Sequence, residues 1–471
     1  MKQLFKHFAL LVMGALISGC AAEVEDVQPT TNGTVTMKTT ISLSEQASTR
    51  ALDIYGNKTF AAGDQIAVVY EQESGTAKAL SVALTDDDIT NGGKDAAFTV
   101  TLSSPKANGK VRYIYPASMV ADDVSTTTPG NDATIKWSNL NTQDGLLSSL
   151  ASKLDLATFD GEMTAQGNLP KTATLANQLT IAKFIIKNSA TNSTITGNIT
   201  KLTISDGTNT YTVNTSSHST IYVAMKPIIS SQTIVVQATD GTTHYVKTVT
   251  GKTLAKNNIT PVNVTMFAGT PASSAAAADK GKFLGADGFI YADAAAATAT
   301  GTTLVALICY VGDDAETSAS NTAYKHGLAL ALTDASTSAK WCSQTSETCL
   351  STEYFSSYTK DMAGIANTDA LIAHGSHTHA AASMARNYNS GTHPIGTSAW
   401  FLPSSGQWNK MITTAGDYTT LGSNANLQGW YWSSTEGGVR NIYNYAFTGY
   451  GGGCVGDPKD SDNHVRSALA F

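Results

Sequence analysis

The chain has 471 residues, a net charge of −7 and a charged fraction of 14%, against roughly 25% in an average soluble protein. That balance argues against nucleic acid as a partner, because gripping phosphate chains takes a basic surface. The length exceeds one ordinary core, so two or three domains are expected.

Thr, Ser, Ala, Asn and Gly fill the space that charges leave, and this composition suits an all-β extracellular protein. The chain opens with Lys2 and Lys6, an apolar run from Phe8 to Ile17, and then Ser18-Gly19-Cys20. A basic start, a short apolar core and small residues describe a secretory signal over residues 1–19. The apolar run is too short to span a bilayer, which takes roughly 20 residues. With cysteine following the small residues, Leu16–Cys20 resembles the lipobox of a bacterial lipoprotein. That resemblance implies that Cys20 becomes the first mature residue and carries the lipid, palmitate included. Residues 20–33 follow as a polar, acidic tether.

Alternation begins at Thr34, and the spacing predicts a first strand over Thr34–Leu43. Asp64–Tyr70, Ala97–Leu102 and Val111–Tyr115 are further short strands separated by Gly, Asn or Pro clusters, and this first block is expected to span 34–165. A second β-rich block spans 166–268. Its predicted strands are Gln178–Lys187, Ile199–Ser205, Thr210–Asn214, Thr220–Ala224, Thr233–Ala238, Tyr245–Thr248 and Val262–Met266. Asp206-Gly207 and Asp240-Gly241 read as hairpin turns. Seven short strands at such spacing suggest a sandwich.

Residues 269–280 read as a linker into a third region, 281–471, of different composition. Trp341, Trp400, Trp408, Trp430 and Trp432, five of the six tryptophans, lie there. Helices are predicted over Lys360–Ala373 and Thr378–Asn387, with a short one after Ser404-Ser405, serine being a favoured N-cap. This region is expected to be mixed α and β and separately folded. Cys309, Cys342, Cys349 and Cys454 also fall in the last third. Four cysteines allow three pairings, and Cys342 with Cys349 is favoured because they are close in the chain.

The chemistry-bearing patterns are few. No His-Glu-x-x-His, no Gly-x-Ser-x-Gly elbow and no phosphate loop occurs, so no enzyme activity, cofactor or metal is expected. His374, His377 and His379 form a cluster that reads as a polar loop between helices, Gly375 and Ser376 breaking the helix. Asp457, Asp460, Asp462 and Asn463 supply oxygen ligands of the kind calcium favours, without the EF-hand spacing. Trp430, Tyr431, Tyr443, Tyr445 and Tyr450 are dense in aromatic surface beside Gly449 and Gly451–Gly453. They are the candidate ligand-binding residues, since rings with a polar rim suit a glycan or protein partner. Trp400, Trp408 and Trp432 are expected in the core.

Two resemblances organise these readings. Thr49-Arg50-Ala51 after a first strand, Phe60–Val68, Tyr113-Ile114-Tyr115-Pro116, and Thr172–Leu175 leading into Leu179–Ile186 resemble the fimbrillin-like (type V pilin, Mfa-like) family of the Bacteroidales. That resemblance covers roughly 34–268 and implies two tandem transthyretin-like β-sandwich domains. It further implies export as a lipoprotein, cleavage by an arginine-specific protease at Arg50–Ala51, and assembly with other pilus subunits by donor-strand exchange. Trp400–Ser404 with Gln407-Trp408-Asn409, Tyr431–Glu436, and Val465–Phe471 resemble a C-type-lectin-like fold of the Fibrobacter/Legionella kind over 281–471. The sugar motifs of calcium-dependent lectins are missing from it.

Together these imply a mostly β protein of the outer membrane surface or fimbrium tip. The expected function is a fimbrial tip adhesin whose C-terminal domain binds a glycan or protein ligand on host cells or neighbouring bacteria. The alternative is a lipid-anchored surface glycan-binding protein that belongs to no pilus.

Overall fold

The computed structural model describes residues 33–43, 59–154, 156–256, 259–318, 323–344, 348–350, 358–375, 377–412, 424, 426–438, 441–448 and 451–471. Cys20, Arg50, Ala51 and Tyr450 lie outside them. The chain is mostly β, and it divides into two compact units. One holds 33–43, 59–136 and 156–176; the other holds 137–154 and the described residues from 177 onward.

In the first unit Thr34–Leu43 forms the strand that its alternation predicts. Met37, Thr39, Ile41 and Leu43 are buried while Thr36, Lys38 and Thr40 are exposed. It pairs antiparallel with Asp95–Ser103, from Thr34 opposite Ser103 to Ser42 opposite Asp95. On its other edge Thr40–Leu43 runs parallel to Thr172–Leu175. Thr39 faces inward without an orphaned hydroxyl, because its Oγ1 donates to the Pro170 carbonyl at 2.7 Å. Ala67–Gln72 pairs with Gly75–Leu80 and with Lys110–Tyr115, which in turn pairs with Ala157–Glu162.

The inward residues of all these strands share one core that includes Ile41, Val68, Phe98, Val100 and Tyr113. Phe60 closes it edge-on to Phe98 and Tyr115, with ring centroids 5.4 and 5.3 Å apart. Arg112, 6% exposed, clamps Asp160 with Nε and Nη2 at 2.6 and 2.9 Å. The same guanidinium donates to the carbonyls of Gly130 and Asn131, tying the loop before Lys136 to the sheet.

The expected border near residue 165 is not where the chain divides. Thr172–Leu175, read as the entry to the second sandwich, belongs to the first unit through its parallel pairing with the first strand. Conversely, Thr142–Gln143 pairs with Thr212–Val213 in the second unit. Gln143 holds that place through two buried bonds with Ala224, its amide donating at 2.8 Å and its oxygen accepting at 2.9 Å. Period-two alternation marks strands without saying which sheet edge receives them.

In the second unit, Lys201–Ser205 with Thr210–Asn214 and Ile228–Thr239 with His244–Leu254 form the two expected hairpins. Asp206 and Asp240 build the turns. Each Oδ1 accepts two backbone N–H groups, those of Thr208 and Asn209 or of Thr242 and Thr243, and the following glycine takes a φ of 87° or 94°. Thr180–Asn188 lies between Ile221–Met225 and Ile259–Pro271, and Thr180, Ile181 and Ala182 are buried in succession. A strand flanked on both edges and covered on both faces has no need to alternate.

The stretch 269–280, expected as a linker, is structured. Strand Ile259–Pro271 pairs first with Tyr245–Val246 and then, at Thr270–Pro271, with Phe289–Ile290. The sheet therefore runs on through Phe283–Gly285, Leu304–Val311, Gly327–Ala331 and Ala468–Ala470. A second sheet, in the order Ser336–Ala339, Asn463–Val465, Gly429–Glu436, Asn441–Thr448, Gly451–Pro458, carries the aromatic segment. Helices Gly364–Ala373, Ala380–Arg386 and Ser405–Met411 pack around it. Among the described residues no helix is long and apolar enough to cross a membrane.

Candidate functional site

The aromatic segment is positioned by a short capped helix. Ser404 accepts the Gln407 N–H at 3.3 Å, and the Gln407 side chain accepts the Ser404 N–H at 2.9 Å. This reciprocal cap starts Ser405–Met411 and turns Trp408 and Met411 into the core. Trp341, Trp400, Trp408 and Trp432 are all at most 1% exposed. Each indole N–H finds a backbone carbonyl: Trp341 that of Ser433, Trp400 that of Thr392, Trp408 that of Trp432, and Trp432 that of Ala339. These residues build the scaffold.

Tyr431, expected at the ligand face, belongs to that scaffold. It is fully buried against Trp408, with ring centroids 5.7 Å apart, and against His464 at 5.1 Å. Strand Gly429–Glu436 lies between two neighbours and is covered on both faces from Tyr431 to Thr435, so alternation does not expose the tyrosine. Burial raises the Tyr431 phenol above its ordinary range.

Trp430 remains at the surface, 40% exposed. In register it faces Ala446, which faces Gly453, so the residues beside it across three strands are small. Tyr443 and Tyr445 lie on strand Asn441–Thr448, Tyr445 opposite Tyr431.

Sequence reasoning missed two charged networks under this sheet. Asp334 accepts from Arg466 Nε at 2.7 Å and pairs with His464 Nδ1 at 2.8 Å, while Arg466, 1% exposed, also donates to the Ala331 carbonyl. Lys459 and Glu436 form an ion pair with side chains 0% and 5% exposed. Nothing in the local pattern marks these pairs, whose members lie far apart in the chain.

In the acidic loop before the C-terminal strands, Asp457 accepts from Ser461, Asn444 and Asn463 at 3.0, 3.2 and 2.6 Å. Cys342 and Cys349, favoured as a disulfide, are both buried thiols whose sulfurs lie within 4.8 Å of each other without a bond. His374, His377 and His379 fall between helices Gly364–Ala373 and Ala380–Arg386, where the helix break is expected. A cleft of about 560 Å³ is lined by Thr208 and Thr210 of the Asp206 hairpin and by Tyr324, His393 and Thr397.

No protein-family model matches the sequence, and no curated protein matches it. Among solved structures, a fimbrial protein from Bacteroides ovatus aligns over 94% of this chain and 100% of its own, at 15% identity and a TM-score of 0.35. A putative cell adhesion protein from Bacteroides uniformis aligns over 50% of this chain and 94% of its own, at 14% identity and a TM-score of 0.27. The minor pilin of Streptococcus agalactiae aligns over 49% and 95%, at 9% identity and a TM-score of 0.20. At such scores the superpositions carry no functional argument, which rests on the chain's own residues.

Proposed function

We propose that this protein is a surface-exposed fimbrial subunit, the tip adhesin of a type V pilus. In this reading it leaves the cell as a lipoprotein acylated at Cys20, is cleaved at Arg50–Ala51, and joins its neighbour by strand addition. The observation that carries the reading is the seating of Thr34–Leu43. The strand lies between Asp95–Ser103 and Thr172–Leu175, contributing Met37, Ile41 and Leu43 to the core. Its removal opens a groove with two hydrogen-bonding edges and alternate apolar pockets, the arrangement that strand addition fills. Arg50 follows the strand within a few residues, so a cut there severs the strand from the rest of the unit.

The C-terminal region serves as the lectin-like head in this proposal, with exposed Trp430 as the stacking surface for a glycan or protein ligand. Strand Ala468–Ala470 is fully buried beside Gly327–Ala331, and a strand held so is not available for donation, which suits a subunit that caps a fibre. The test is the N-terminus of the surface protein in wild-type and Arg50→Ala cells, with immunogold labelling of pili. Ala51 as the mature wild-type residue, with label at fibre ends, is expected. A lipidated Cys20 terminus under all conditions rejects the proposal in favour of a static, lipid-anchored glycan-binding protein. Label along the shaft rejects the tip assignment.

A further inference from the structure

We propose that Cys342, Cys349 and His379 form a binding site for a zinc-class divalent transition metal. The sequence reading expects no metal here. The fold nevertheless gathers these three side chains from the stretch 341–350 and from the loop between helices Gly364–Ala373 and Ala380–Arg386. One ligating atom from each lies within 4.8 Å of the others. All three residues are buried, at 0%, 9% and 2% exposure. Tetrahedral zinc, with Zn–S and Zn–N bonds of about 2.3 and 2.0 Å, sets neighbouring ligand atoms roughly 3.5–3.8 Å apart, so closure takes shifts of about 1 Å.

The imidazole distinguishes this site from a plain pair of thiols. Neither ring nitrogen of His379 has a hydrogen-bond partner among the described residues, although the ring is 2% exposed. Buried polar atoms of that kind are rare and costly to leave unsatisfied. A Cys342–Cys349 disulfide would leave both nitrogens as they are, whereas a metal ion engages one of them. His374, with ring centroids 5.3 Å apart from those of His379, also has a buried Nδ1 without a partner among the described residues. Two sulfurs and imidazole nitrogen are soft to borderline donors, the set that selects zinc over calcium or magnesium.

The surroundings hold these ligands in place. The Gln344 N–H donates to Cys342 Sγ at 3.3 Å, and the Lys459 ammonium lies 4.0 Å from Cys349 Sγ. Burial pushes the Cys349 thiol up to about 12, and the Lys459 ammonium works against that shift. Glu436, paired with Lys459, accepts the Cys349 N–H at 3.0 Å and the Leu350 N–H at 2.8 Å, fixing the backbone that presents the sulfur. Outer contacts of this kind orient metal ligands. Binding converts two thiols to thiolates and releases two protons to solvent, leaving a neutral unit of one dication and two thiolates. The site then ties Cys342 and Cys349 to His379 at the start of helix Ala380–Arg386.

The experiment uses the full chain purified under reducing conditions. Elemental analysis is expected to find one zinc per chain, and cobalt(II) added in its place should give the thiolate-to-cobalt charge-transfer absorption. Cys342→Ser, Cys349→Ser and His379→Gln should each weaken zinc binding at least about tenfold. Cys309→Ser, a buried cysteine of another cluster, should retain it. Wild-type chain that takes no more zinc than the Cys342→Ser/Cys349→Ser double variant overturns the proposal. So does a cobalt adduct without the thiolate band, a readout that does not depend on any variant folding. Protein isolated from cells with Cys342 and Cys349 in a disulfide and no zinc overturns it as well.

Discussion

Replacing Ile41 by alanine tests how the first strand is held. Ile41 is fully buried, and its register partners are Ala96 on one side and Ala173 on the other. With alanines beside it, little side-chain volume is at hand to fill the space that the three lost side-chain carbons leave. Large-to-small changes at buried isoleucine cost about 2–5 kcal/mol, more where the site cannot collapse. A cost of about 4 kcal/mol raises the opening equilibrium of the strand by roughly a thousandfold. Thr40→Ala, one residue away on the exposed face, should change stability by less than about 0.5 kcal/mol. Native-state hydrogen exchange reads this directly: amides of Asp95–Ser103 and Thr172–Leu175 should exchange faster in Ile41→Ala and not in Thr40→Ala. Equal exchange in the two variants would refute the reasoning.

Three other outcomes follow from the second unit. Lys459→Met strands a buried Glu436 and should cost about 3–5 kcal/mol in urea unfolding followed by tryptophan fluorescence, while adding Glu436→Gln should recover part of that loss. Full stability in the single variant would show that the pair is not what holds this corner. Trp430→Ala should reduce ligand retention on a glycan array several-fold or more with little change in the urea midpoint, because the ring is 40% exposed; undiminished binding removes Trp430 from the site. Burial raises the Asp287 carboxyl above its ordinary range, against the pull of the Tyr291 hydroxyl and the Phe289 N–H. The folded chain therefore keeps this proton where the unfolded chain has lost it. The stabilisation is full below the ordinary pKa and is lost as pH rises through the folded value. The melting temperature of wild type relative to Asp287→Asn should accordingly rise as pH falls from 7 toward 4, and a difference independent of pH contradicts the assignment.

What the sequence discloses here is local, and the reason is visible in particular residues. Thr34–Leu43 shows its bounds because one face is apolar and the other polar, and the fold buries that one face. Asp206 and Asp240 disclose their turns because each carboxylate accepts N–H groups two and three residues on. Ser404 discloses a helix start by the same kind of short-range bond. The parallel partner of the first strand, Thr172–Leu175, is more than a hundred residues away and carries no mark of its edge. The continuation of Ile259–Pro271 into the C-terminal sheet is hidden likewise, since Pro271 and the serines after it look like linker while Thr270 and Pro271 pair as strand. Tyr431 misleads because a dense aromatic run beside glycines reads as binding surface, whereas its strand is buried from Tyr431 to Thr435.

Each unit is stabilised internally by a different kind of contact, and the difference bears on the proposed assembly. The first strand of the first unit is bound by backbone pairing and a row of aliphatic side chains, interactions that any strand of matching alternation can reproduce. The C-terminal half of the second unit is bound by indole N–H groups on specific carbonyls, by the Arg466–Asp334 and Lys459–Glu436 pairs, and by a buried cluster of thiols and imidazole. Those contacts are not interchangeable, because a substitute lacking one partner leaves a charge or a polar atom buried alone. Exchange is thus physically cheap at Thr34–Leu43 and costly around Trp432. Under the proposed function that asymmetry is what strand exchange beside a fixed binding face requires, with generic contacts in the exchanged strand and specific ones in the scaffold beneath Trp430.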